Sequence, residues 1–145
     1  MYLDVLGRVS NAQAFGAAAV STDSIDLGPG SVAPNGRQIG TGEPMGFGVA
    51  VTTAGTVAPT LMEIISATDA PLTAGILVHA SRTIPLAETV AGAVFFIPLP
   101  MGTPTQRFLG VRFTTAAGTI SATVWLTTHS LFSLLAKAYP KNYVV

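Results

Sequence analysis

Residues 107–127 read RFLGVRFTTAAGTISATVWLT, and two alternations inside that stretch decide the fold. In the first, Leu109, Val111 and Phe113 fall on one side, with Phe108, Gly110 and Arg112 on the other. In the second, Ile120, Ala122, Val124 and Leu126 alternate with Thr119, Ser121, Thr123, Trp125 and Thr127. Successive side chains of a strand point to opposite faces, so period two is the mark of a strand with one buried face. The short glycine-containing link Thr114–Gly118 predicts that the two strands form a hairpin.

The same pattern continues upstream. Phe47, Val49 and Val51 alternate with Gly46, Gly48 and Ala50, and Phe95, Ile97 and Leu99 share one face of another strand. Pro98 and Pro100 place that strand at an edge or a strand end, because proline has no amide to give to a ladder. Further strands are predicted within 21–27, 60–67 and 75–79. The 15 glycines and 10 prolines interrupt nearly every helical window. Short strands separated by turn signals predict an all-β fold, a jelly-roll-like β-sandwich with a short C-terminal helix or tail.

The expected organisation is an N-terminal arm or edge strand over 1–20, the sandwich over 21–127 and the helix or tail over 128–145. Residues 28–42, GPGSVAPNGRQIGTG, form a long glycine-rich connection. In the tail, Ser130 is the predicted cap of a helix with Leu131, Leu134, Leu135 and Ala138 on one face. Lys137 suits its last turn and Pro140 stops it. Such a helix either packs on its own sheet or docks on another subunit.

Composition narrows the function. Charged residues are 10% of the chain, against about 25% in ordinary domains, and seven basic side chains balance seven acidic ones. That leaves no electrostatic footprint for nucleic acid or an anionic membrane. No apolar run approaches the roughly 20 residues of a membrane span, and the first residues lack the pattern of a signal peptide. Hydrophobic residues reach 49% with the 15 glycines on top, more than a monomer of this size readily hides, so part of the exterior is expected to meet other protein subunits.

The chemistry-bearing residues are sparse. There is no cysteine, which removes thiol catalysis, disulfides and cysteine-ligated zinc. His79 and His129 are the two histidines and lie in no nucleophile or metal motif, so both are read as structural. Asp23 and Asp26 lack the oxygen density of a calcium loop. Gly40-Thr-Gly42 runs into a predicted strand, without the helix N-terminus that holds a phosphate. Trp125 and Phe108 fall on the polar faces of their strands and are read as partner contacts, as covered core or as a stacking platform for a ligand. The expectation is a non-enzymatic protein with no cofactor.

The order of several local features resembles the capsid cement, or decoration, proteins of short-tailed bacteriophages. They are Asn11-Ala-Gln-Ala14, Ser21-Thr-Asp-Ser-Ile-Asp-Leu-Gly28, Gly40-Thr-Gly-Glu-Pro44, Thr60-Leu-Met-Glu-Ile-Ile-Ser-Ala-Thr-Asp69, Phe95-Phe-Ile-Pro-Leu-Pro100 and Arg107-Phe-Leu-Gly-Val-Arg-Phe113. The resemblance covers roughly residues 10–127, and the tail beyond it departs from the pattern. It implies a jelly-roll-like sandwich made in the host cytoplasm that binds the outer surface of the virion capsid as a homo-oligomer, a dimer or a trimer. The major capsid protein would be its partner and the joints between capsid subunits its target. Contacts are expected from 1–20, 28–42 and 128–145, with Phe15, Arg37, Phe132, Leu135 and Tyr139 as anchors. The alternative is a jelly-roll attachment or carbohydrate-binding module of the virion surface.

Overall fold

The computed structural model describes residues 7–29, 37–39, 43–54, 60–100, 103–115 and 118–138. The described chain is an all-β sandwich. One sheet has the order β1-β11-β5-β8, built from Arg8–Phe15, Ile120–Thr128, Met45–Thr53 and Val94–Pro98. The facing sheet has the order β2-β10-β6-β7, built from Ala19–Val20, Phe108–Thr115, Thr60–Ala67 and Leu77–Ile84, with β3 (Ile25–Asp26) also on β10. A separate two-stranded piece joins β4 (Arg37–Ile39) to β9 (Thr103–Thr105). The chain passes back and forth between the two main sheets, which is the jelly-roll arrangement. A helix, α1 (His129–Ala138), follows the last strand.

The alternation read at 107–127 holds on the core side. Leu109, Val111, Phe113, Ile120, Ala122 and Val124 are all fully buried. The predicted hairpin does not form, however. β10 pairs with β6, β2 and β3, whereas β11 pairs with β1 and β5. The chain therefore changes sheet between the end of β10 and the start of β11. Each of these strands is central in its sheet and already has a neighbour on both sides, so pairing with each other would displace one of them.

The remaining strands fit or correct their expectations in the same way. β6 has the predicted bounds, β7 starts two residues later than the predicted 75–79 strand and runs on to Ile84, and β8 is an edge strand that ends at Pro98. The strand predicted over 21–27 shrinks to two residues. There the side chains compete for the backbone: Ser21 Oγ donates to the Asp23 carbonyl and Ser24 Oγ to the Ala70 carbonyl. Within 28–42, the described strand is β4.

Within the N-terminal segment, Arg8–Phe15 forms an edge strand, and Ala19–Val20 joins the facing sheet. Phe15, expected as an interface anchor, is instead 0% exposed in the core. Its ring centroid lies 4.3 Å from that of Phe113, so it ties β1 of one sheet to β10 of the other. A lone aromatic in a small-residue stretch buries more area facing the core than it can outside it. Phe113→Ala should therefore lower stability by about 3–5 kcal/mol in urea unfolding, by lost transfer energy plus the cavity left behind. A loss below about 1 kcal/mol would show that the sheets do not rely on this contact.

Candidate functional site

The outer face of the β1-β11-β5-β8 sheet is covered over the glycines of β5. β5 presents Gly46 and Gly48 there, and aromatic rings from both neighbouring strands lie over them. A Cβ on Gly48 would come 2.7 Å from the Trp125 ring, and one on Gly46 would come 2.7 Å from Phe96 and 2.2 Å from the Ile97 carbonyl oxygen. Trp125 is 4% exposed, which removes the free stacking platform considered from sequence; its Nε1 has no hydrogen-bond partner among the described residues. α1 extends this layer, with Phe132 5.2 Å and His129 5.4 Å from the Phe96 ring, measured between centroids. The helix thus packs on its own sheet. Its cap is Thr128, whose Oγ1 accepts from the Leu131 amide at 3.4 Å; Ser130, the predicted cap, lies inside the helix. Gly48→Ala should cost about 1–3 kcal/mol by overpacking against Trp125, read from the unfolding midpoint; an unchanged midpoint would mean that the ring moves freely.

The outer face of the second sheet carries its own small core. Ile65 and Ala67 are covered by Leu72, with Val20, Ile76 and Phe108 packed around them. Leu72 sits at φ +57 in a loop held by the Asp69 carboxylate, which accepts from the Thr73 and Ala74 amides and from the Thr73 hydroxyl. Those bonds hold the Asp69 carboxyl below the usual range. Phe108 lies beneath the Arg107 guanidinium, which pairs with Asp26. Glu63 and Arg112, opposite each other on β6 and β10, form a 2.7 Å ion pair.

One polar pair was not singled out from sequence. The pairing of β6 with β7 slips between Ile64 and Ile65, leaving His79 as the extra residue of a bulge. Its Nε2 lies 2.6 Å from Ser66 Oγ, which also accepts the Gln106 amide. Ser66 is fully buried, so this hydroxyl pins the bulge rather than meeting a substrate. Burial holds the His79 pKa below its ordinary 6.5. The unfolded chain therefore takes up this proton first as pH falls below about 6.5, and the folded state loses stability until pH passes the lower folded pKa. Between pH 7.5 and 5, the native chain should lose more stability than His79→Gln; parallel losses would remove the histidine from that dependence.

The open surface lies where the two sheets end at β7 and β8. These edge strands are consecutive in sequence and are joined along that side by residues 85–93, with a short 3-10 turn at Leu86–Glu88. Leu77, Val78, Leu86, Val90 and Val94 are each about half exposed here. Residues 87, 88 and 90–95 line a recess of about 400 Å³. The charges of this side cancel locally: Arg82 pairs with Glu88 at 2.5 Å and lies over the Phe95 ring.

Two of the residues expected as anchors can be placed among the described side chains. Phe15 is in the core, and Phe132 is half-buried against Phe96. Arg37 lies on β4 and Leu135 on α1, with side chains outside the described residues, and Tyr139 lies wholly outside them. The signal that points to the open side is charge poverty: from Ala70 to Met101 the sequence has Arg82 and Glu88 as its charged side chains. Among the described residues, no group of three His, Cys, Asp or Glu is placed to hold a metal, and no helix is long and apolar enough to cross a membrane.

These features define a jelly-roll sandwich with covered sheet faces and one apolar side. A family model described as Bbp16 matches residues 9–126, from β1 through nearly all of β11 and stopping before α1. The chain belongs to the Bbp16 family, a phage-related family. No curated protein matches it.

Proposed function

We propose that this protein is a structural component of a phage virion, a capsid cement protein that binds the outside of the shell as a homo-oligomer and reinforces joints between major capsid subunits. The observation that carries the proposal is the apolar, charge-neutral side bounded by β7 and β8 on a chain of a phage-related family. A surface of this kind suits a lasting protein contact, because neutral apolar interfaces are little weakened by salt. A sandwich with covered outer faces also suits a passive mechanical role.

The mechanism requires no catalysis. Internal pressure from a packaged genome pulls shell subunits apart at their joints. A rigid body bound across a joint adds contact area that must be lost before the joint opens. A protein that binds the assembled shell and not its separated parts stabilises assembly by mass action. An oligomer that grips several subunits gains further from effective concentration, so each single contact can be modest.

Purified particles with and without the protein, heated or moved to low salt and scored for genome release, test this reading. Depleted particles should release earlier, and adding back the protein should restore them. Equal release from both would overturn the cement role.

A further inference from the structure

We infer that the Ser66–His79 pair is an acid-operated catch: it holds Leu77 and Val78 in place on the open side, and its release in acid weakens the contact made there. The catch stands on the geometry of β7, and its effect on partners rests on the cement role.

The bulge at His79 divides β7 unequally. Beyond it, five register pairs join Ala80–Ile84 to residues 60–64, with Ile84 fully buried and Arg82 over the Phe95 ring. Before it, two pairs, Val78 with Ile65 and Leu77 with Ser66, hold the start of the strand. Leu77 and Val78 are 45% and 50% exposed, so burial adds little to those two pairs. Upstream, Ile76 packs in the small outer core and the Asp69 carboxylate braces the loop. Residues 77–79 are therefore a short, weakly held span between two firm points. They lie on an edge strand, with no strand on its outer side among the described residues. Segments with few buried contacts are the first to open locally.

The hydrogen bonds at His79 run in one direction. The Gln106 amide donates to Ser66 Oγ, which leaves the hydroxyl proton to go to His79 Nε2. A neutral imidazole accepts there and keeps its own proton on Nδ1. Protonation gives the ring a second N–H and reverses the bond. Ser66 Oγ then faces two donors, and its own proton, on a side chain with no exposed surface, loses its acceptor. A buried donor without a partner is costly, and the new charge beside it adds to the cost. Opening the span relieves both, because the ring reaches water.

The charged groups of the surrounding elements are engaged elsewhere. Glu63 of β6 is paired with Arg112 of β10, Arg82 of β7 with Glu88 of the 85–93 link, and Arg107, next to Gln106, with Asp26. Asp69 is bound by its own loop, and β8, VFFIP, has no titratable side chain. Burial is what lowers the His79 pKa. The span accordingly stays shut at neutral pH and loses its hold as pH falls below the ordinary 6.5 of a solvated histidine, until pH passes the lower closed-state value.

Amide hydrogen exchange of the full chain at pH 7.5 and pH 5, corrected for intrinsic rates, tests the catch. Protection of residues 77–79 should fall about tenfold, within the ~30-fold ceiling set by an ordinary histidine, while residues 80–84 keep theirs. His79→Gln should show no such fall. Neither should Ser66→Ala, which keeps the histidine but has no hydroxyl to orphan. Equal loss along all of β7, an unchanged span or the same fall in both variants would overturn the inference. The effect on partners is read on purified particles moved from pH 7.5 to pH 5, where the native protein should be shed at least fivefold more than His79→Gln. A span that opens while both proteins stay equally bound overturns the link to partner contact. Failure of the native protein to bind particles at pH 7.5 overturns the cement reading, and the exchange result then scores the catch alone.

Discussion

Phe15 against Phe113, with 4.3 Å between ring centroids, is the contact on which the closing of the sandwich depends. It lies between an edge strand of one sheet and a central strand of the other. A sheet with one apolar face is unstable alone in water, and burying that face against a second sheet supplies most of the favourable free energy. Around this pair, Val9, Phe47, Val49, Met62, Ile64, Val111 and Ile120 are all fully buried. Once the two faces meet, the links between strands become crossings of the core, and the jelly-roll path follows.

The outer faces show a different economy. Glycines on β5 let the Phe96 and Trp125 rings fold inward over the sheet, and α1 lies beside them. On the opposite sheet, a loop braced by Asp69 lays Leu72 over Ile65 and Ala67. Both faces are thus largely withdrawn from contact with anything large and apolar. The excess apolar composition is left to appear along the side of β7, the 85–93 link and β8, where strand edges and half-exposed aliphatic side chains coincide. The distribution of apolar surface, more than its total amount, sets that side apart from the two sheet faces.

Polar groups inside the structure act as fasteners. Ser66 joins the His79 bulge of β7 to the Gln106 amide just before β10, so one hydroxyl couples an edge strand to the start of a central strand of its sheet. Three ion pairs, Arg82–Glu88, Arg107–Asp26 and Arg112–Glu63, use three of the seven acidic side chains and pin local geometry. The two exposed pairs, Arg82–Glu88 and Arg107–Asp26, add little stability each.

Much of the fold was legible in the sequence. The alternations at 107–113, 119–127, 46–51 and 95–99 identified strands and their buried faces, because the two-residue period is a local property of the backbone. The class of fold followed from their number and spacing, and the tail helix from its apolar repeat. Strand pairing was not legible: 107–127 reads as a hairpin locally, and the competition of β1, β5 and β6 for the same strand edges decided otherwise. Nor was the burial of Phe15 and Trp125, since each depends on residues remote in the chain, Phe113 for one and Gly48 for the other. The open side was half legible, as a stretch poor in charge. Tertiary structure alone placed its aliphatic side chains together on an edge, because contact between distant segments, not local propensity, settles which apolar residues remain outside.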